Sequence, residues 1–253
     1  MPLTSQQKRD FARQGFLHVP GMIPRDKIDE AMMHINHWLG HAFDPSQIDT
    51  YTKQSYCPEL REQPPIKNLM EDTAVYAAAE ELTAPGSLKP TWRGQIALRF
   101  PKPGAQPKRM GGHIDGTPGD NNGVPPGTIY SFTMLVGIAL SDVDREWAGN
   151  FTVWPGSHLK LENWFKEHSL YDLLETGLPK LDYGPPQQMQ WKAGDVVFAH
   201  HQTVHGIATN LSPNIRYATF FRLHHVEHDA LREEVVRDIW REYDGVRQAI
   251  AGA

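Results

Sequence analysis

The residues best suited to chemistry are a histidine and an aspartate in Gly111-Gly112-His113-Ile114-Asp115-Gly116. In an extended segment, residues two apart project to the same side. His113 and Asp115 can therefore aim an imidazole and a carboxylate at one point. Alone the motif is weak, because a loop histidine beside a turn-forming aspartate has the same spelling. Far downstream lies a histidine cluster, His200-His201-Gln202-Thr203-Val204-His205-Gly206. One imidazole from it would complete a set of two nitrogens and one carboxylate. Such a set covers one face of a metal and leaves the other open, as non-haem Fe(II) oxygen chemistry requires. Zinc could bind the same three groups. The single cysteine, Cys57, excludes an internal disulfide and any metal site built on several thiolates.

The segments that carry these residues read mainly as short strands. Arg93 to Phe100 alternates, with Gln95, Ala97 and Arg99 on one face and Ile96, Leu98 and Phe100 on the other. Other strand candidates span 129–140, 149–154, 188–191, 195–199 and 216–223, separated by Pro and Gly turn signals. The run from Asp195 to Ala199 leads into the histidine cluster. If that strand stays regular, His201 shares a face with His205. That makes His201 the chief rival to His205 as the third ligand. A turn at Ser212-Pro213-Asn214 is expected to return the chain as an antiparallel strand beside the one ending at His205, with Arg216 at its start. A guanidinium there is a natural partner for a carboxylate in a desolvated pocket.

Helices are expected first, from Thr4 or Ser5 to Arg13 with Gly15 as terminator, then along Ile28, Ala31, Met32, Ile35 and Leu39, then over 66–83. Residues 157–174 form a helical insert, and Leu231, Val235, Ile239 and Trp240 stripe a last helix. Helices followed by many short strands predict one mainly β domain over 1–253 with flanking α-helices. The expected architecture is a double-stranded β-helix (a cupin-like jelly roll) with the helices packed on one outer face.

Together, His113-x-Asp115, the strand Gly194-Asp195-Val196-Val197-Phe198, His205-Gly206, and Arg216 eleven residues past His205 resemble the phytanoyl-CoA dioxygenase family. The opening from Phe11 to Gly21 and the Pro155-Gly156-Ser157-His158 turn are similar to that family as well. The resemblance implies an Fe(II)- and 2-oxoglutarate-dependent dioxygenase with a double-stranded β-helix fold. It implies that His113, Asp115 and His205 bind the iron, and that Arg216 holds the distal carboxylate of 2-oxoglutarate. Strand parity adds Gln95 and Arg99 as candidates for cosubstrate contact. Relatives often carry a hydroxyl residue two positions after the distal histidine. Here that position is Ile207, so the contact comes from elsewhere, with Thr209 and Thr133 as candidates, or is absent. Halogenating relatives replace the metal-binding carboxylate with a small residue, so Asp115 implies oxygenation. The implied reaction couples conversion of 2-oxoglutarate to succinate and carbon dioxide with oxidation, foremost hydroxylation, of a substrate C–H bond. No catalytic side chain is required beyond the metal centre.

Composition narrows the alternatives. The chain has 253 residues, 40% hydrophobic and 22% charged, which suits an ordinary globular domain. A net charge of −5 supplies no cationic field for nucleic acid or an anionic membrane. The longest apolar run, Met134 to Leu140, is too short to cross a bilayer, and the opening residues lack a signal peptide's apolar stretch. A cytoplasmic enzyme acting on a small-molecule substrate with dioxygen is the expectation. The Gly- and Pro-rich loop over 101–128 is expected to cover the metal, and its cations Lys102, Lys108 and Arg109 to be solvated. Two other readings use the same fold. One is a cupin-like metal-dependent isomerase, lyase or hydrolase in which Arg216 binds the substrate and 2-oxoglutarate has no role. The other is a non-catalytic ligand-binding protein with little affinity for iron.

Overall fold

Thr4 and Gln7 form a capping box that starts α1 (Ser5–Gln14), and Gly15 ends it in the left-handed conformation at φ 81°. The computed structural model describes residues 2–90, 93–108 and 110–252, so Arg109 lies outside the described residues. The chain enters β1 (Phe16–Val19) and then α2 (Arg25–His41), which buries Ile28, Ala31, Ile35 and Trp38. A short helix that the sequence pattern missed, α3 (Ile48–Lys53), follows. The span expected as one helix over 66–83 is two, α4 (Pro64–Glu71) and α5 (Val75–Leu82). Thr73 breaks it: its hydroxyl donates to the Leu69 carbonyl and accepts from the Val75 N–H. That gives the backbone a local alternative to a continued helix.

The remaining chain builds two antiparallel sheets. Their strands are β2 (Gln95–Arg99), β3 (Met134–Ala139), β4 (Phe151–Val153), β5 (Gln187–Gln188), β6 (Val196–His200), β7 (His205–Ile207) and β8 (Arg216–Leu223). The larger sheet has the order β1-β6-β3-β8-β2, and the smaller has the order β5-β4-β7. Neither closes on itself. One face of the large sheet packs Ile96, Leu98, Val136, Phe198 and Phe221 against the N-terminal helices. Its other face turns Ala97, Leu135, Val197, Ala218 and Phe220 toward Phe151 and Val153 of the small sheet. This is the mainly β, cupin-like architecture with flanking helices that the sequence predicts, but not all helices lie on one outer face: Leu161, Phe165 and Leu173 of the later helices pack in a separate cluster with Trp154 and Val204. Between β4 and β5 lie α6 (Ser157–Phe165) and α7 (Leu173–Thr176), and the chain finishes with α8 (His228–Val235) and α9 (Asp244–Ala251). Ile239 and Trp240, expected on the last helix, sit in the turns between α8 and α9.

The strand from Arg216 does not run beside His205. Instead β8 pairs with β3 and β2, while β7 pairs with β4 in the other sheet. The connection crosses between the sheets, pinned by the Asn210 side-chain amide, which donates to the carbonyls of Arg99 and Asn214. In the resulting register Arg216 stands opposite Arg99. A second difference concerns His201. Strand β6 ends at His200 and residues 201–204 turn, so the parity that linked His201 to His205 is lost.

Candidate active site

His113 and His205 meet through their backbones before their side chains meet. Each donates its N–H to the other's carbonyl at 2.9 Å, an antiparallel bridge that ties the 111–116 segment to β7. Gly206 permits this approach, because a Cβ there would lie 2.6 Å from the Gly111 carbonyl oxygen. Gly206→Ala is expected to push the two segments apart and destabilise the fold by about 1–3 kcal/mol, the usual range for overpacking. Thermal unfolding read together with metal affinity checks this, since both fall if the bridge sets the ligand geometry.

The side chains then converge. One ligand atom each from His113, Asp115 and His205 falls within 4.8 Å of the others. Asp115 Oδ1 is 3.4 Å from His113 Nε2 and 3.6 Å from His205 Nε2. His205 Nδ1 sits 3.0 Å from the Thr203 carbonyl, which can only accept, so Nδ1 carries the proton and Nε2 offers a lone pair toward Asp115. Burial by itself would raise the Asp115 carboxyl. The Arg222 guanidinium first, and then the two neighbouring imidazoles, outweigh it and hold the group well below the usual carboxylate range. An anionic oxygen beside two imidazole nitrogens, one with its tautomer fixed, is a donor set that fits a divalent transition metal.

These groups border a cavity of about 310 Å³ between the sheets. Gln95, Ala97 and Arg99 line it from β2, and Phe220 and Arg222 from β8. Leu135, Phe151 and Ile207 add an apolar wall, and Ile114, Thr117 and Asn122 of the long loop cover one side. Lys53 of α3 also reaches it, paired with Asp49 at 3.0 Å.

Arg216 is almost fully buried, 1% exposed. Its Nε donates to the Gly149 carbonyl at 2.8 Å and its Nη1 to the Ala97 carbonyl at 3.0 Å, while Nη2 has no partner. Burial and the neighbouring Arg99 cation both press its guanidinium well below the usual range. Burial likewise lowers Arg99, whose Nη1 meets only the Leu98 carbonyl. Among the described residues no carboxylate pairs with either guanidinium. Two adjoining cations, one fully and one partly buried, are costly without a counter-charge unless an anion joins them. Arg99 lines the cavity, and Arg216 stands across the ladder from it.

Two expected cosubstrate contacts are placed elsewhere. The Thr133 hydroxyl donates to Glu242 at 2.7 Å and accepts the His225 N–H, which locks it in a polar cluster with His228 away from the cavity wall. Thr209 is likewise not on that wall, whose hydroxyls belong to Thr52 and Thr117. Gln95 lines the cavity, but its Oε1 accepts two hydrogen bonds from Arg222. Arg222 is the residue that sequence reading missed. The same two-residue periodicity that singled out Gln95 and Arg99 runs from Arg216 through Ala218 and Phe220 to Arg222 and would have found it.

Comparison with known proteins sets the site in context. No curated protein sequence matches the chain. Among solved structures, the non-heme alpha ketoglutarate dependent carbocyclase SnoK from nogalamycin biosynthesis is 21% identical, with a TM-score of 0.57 over 91% of this chain and 90% of that one. HygX from Streptomyces hygroscopicus, with nickel and 2-oxoglutarate bound, is 18% identical, with a TM-score of 0.57 over 89% of this chain and 88% of its own. At these identities the likeness establishes the fold. The family model described as phytanoyl-CoA dioxygenase matches residues 11–218, from the first helix through the ligand-bearing segments to the strand that carries Arg216. The chain therefore belongs to the phytanoyl-CoA dioxygenase family and is an Fe(II)- and 2-oxoglutarate-dependent oxygenase.

Proposed function

We propose that the protein hydroxylates a C–H bond of a small organic substrate, with His113, Asp115 and His205 as the iron ligands and the Arg99–Arg216 pair as the anchor for 2-oxoglutarate. The observation that carries this reading is that three convergent donors border one cavity together with Arg99, behind which the buried Arg216 stands across the ladder, neither guanidinium having a counter-charge among the described residues. When bound, Fe(II) with 2-oxoglutarate would activate dioxygen, the oxidant, one oxygen atom going to succinate as the 2-oxo acid loses carbon dioxide and the other to the substrate C–H bond. The chain's own groups bind and orient. Asp115 stays anionic, His205 keeps Nε2 free by donating from Nδ1, and Arg99 and Arg216 neutralise the distal carboxylate. Leu135, Phe151, Ile207 and Phe220 keep water from the cosubstrate. His113, whose side chain is 54% exposed, marks the side from which substrate approaches. A buried free Cys57 and a ferrous site suit a reducing compartment, the cytoplasm.

Anaerobic titration of Fe(II) and 2-oxoglutarate is expected to give a visible charge-transfer absorption, and oxygen then to release succinate. A metal-dependent isomerase, lyase or hydrolase at the same ligands gives neither signal. Arg216→Lys and Arg99→Met are each expected to raise the KM for 2-oxoglutarate roughly 10–100-fold, the loss of about 1.5–3 kcal/mol from one charged hydrogen-bonding contact. An unchanged KM in both variants assigns the anchor elsewhere.

A further inference from the structure

We propose that Arg222 is the positioning residue of the metal centre, holding the outer oxygen of Asp115 so that the carboxylate presents the single oxygen Oδ1 to the ion. The inference rests on the iron-site reading above and concerns a residue outside the ligand set. Arg222 Nε and Nη2 donate to Asp115 Oδ2 at 3.0 and 2.6 Å. The other oxygen, Oδ1, faces the two imidazoles. Each carboxylate oxygen therefore has its own task.

Left alone, a carboxylate turns freely about its last torsion, whose energy profile is broad. Either oxygen, or both, could then meet a cation. A guanidinium removes that freedom when two of its donors converge on one oxygen, because Oδ2 is then held and Oδ1 is left toward the imidazoles. The guanidinium itself is held. Nη1 and Nη2 of Arg222 donate to Gln95 Oε1 at 3.1 and 3.0 Å. The Arg222 Cζ also lies 5.8 Å from the centre of the Phe132 ring, within cation–π range. Gln95 on β2, Arg222 on β8 and Asp115 on the loop thus form one chain of contacts that converts sheet register into ligand orientation. An ordinary surface ion pair contributes little. This one differs, because the Asp115 side chain is only 15% exposed and accepts twice from one fork.

The test uses Co(II) as the probe on the full chain with 2-oxoglutarate present, reading the dissociation constant by calorimetry and coordination from the visible spectrum. Arg222→Gln is expected to weaken Co(II) binding about 10–100-fold, the usual effect of removing a group that orients a ligand. It should also shift the Co(II) bands while circular dichroism stays that of the wild type. Arg222→Lys, which keeps the charge and loses the fork, is expected to show the spectral shift with a smaller loss of affinity. Gln95→Leu should move both readouts in the same direction by less. If Arg222→Gln does not fold, the lysine and Gln95 variants decide. Variants that bind Co(II) with wild-type or greater affinity and an unchanged spectrum overturn the role of Arg222 alone. A wild-type protein that takes up no Co(II) overturns the iron site itself and this role with it.

Discussion

His205→Ala is expected to reduce succinate formation from 2-oxoglutarate at least a thousandfold, about 4 kcal/mol of lost transition-state stabilisation. Of the three ligand candidates, His205 is the one whose neutral tautomer the structure specifies, because Nδ1 donates to the Thr203 carbonyl and Nε2 is the nitrogen left for a metal. It is also the most enclosed of the three, 8% exposed at its side chain against 15% for Asp115 and 54% for His113. The two remaining donors could not hold an ion firmly against water. The backbone bridge between His113 and position 205 uses main-chain groups only, so alanine preserves it and the fold should survive. Asp115→Ala should match it in activity but cost more stability, because it strips Arg222 of its carboxylate. Iron content, succinate yield and unfolding temperature measured together separate these effects. Turnover within tenfold of wild type in the His205 variant moves the ligand role to another residue.

The second large effect is acid sensitivity. His158, His200 and His201 are buried, and burial pushes His158 down to about 4, His201 to about 3, and His200 well below its ordinary range. His200 shows why it must stay neutral. Its Nε2 faces the Ile239 carbonyl while its Nδ1 accepts the Gln202 N–H, so a second proton would break the latter bond. For a histidine whose folded value is lowered, the unfolded chain takes the proton first as pH falls below about 6.5. Stability therefore declines from that point until the folded values are reached. Each such group contributes up to about 1.4 kcal/mol per pH unit. Three of them between pH 6.5 and 5 are worth on the order of 5 kcal/mol, comparable with the whole stability of a typical domain. Glu242 titrates in a different window. Burial opposes its charge, but the hydrogen bond with His228 keeps the carboxyl lowered, so its contribution is lost only below the usual carboxylate range. The urea midpoint is expected to be flat from pH 8 to 7 and to fall steeply between 6.5 and 5. His201→Leu should make the fall shallower without loss at pH 7, because both ring nitrogens of His201 are buried with no partner. An acid limb unchanged by that substitution assigns the effect to other groups.

The chain's local patterns determined much of this protein. Period-two alternation put Gln95, Ala97 and Arg99 on one face, and the structure turns that face to the cavity. The cap residues around α1, the strand at Phe16 and the span of β8 are likewise local, set by side-chain chemistry within a few positions. The break at Thr73 was missed, although a hydroxyl that competes for backbone groups is also a local signal. The motif spacing that resembles the phytanoyl-CoA dioxygenase family points to His113, Asp115 and His205, and folding brings these three together. Tertiary structure alone decided which strands became neighbours. The crossing at Asn210 sent β8 into the sheet of β2, which set Arg216 against Arg99 and carried Arg222 to Asp115, a pairing across 107 positions of sequence. It also withdrew Thr133 from the cavity into hydrogen bonds with Glu242 and the His225 backbone. Faces follow from the pleat, which repeats every two residues. Partners follow from sheet order and register, which are settled by hydrogen bonds and packing between segments far apart in the chain.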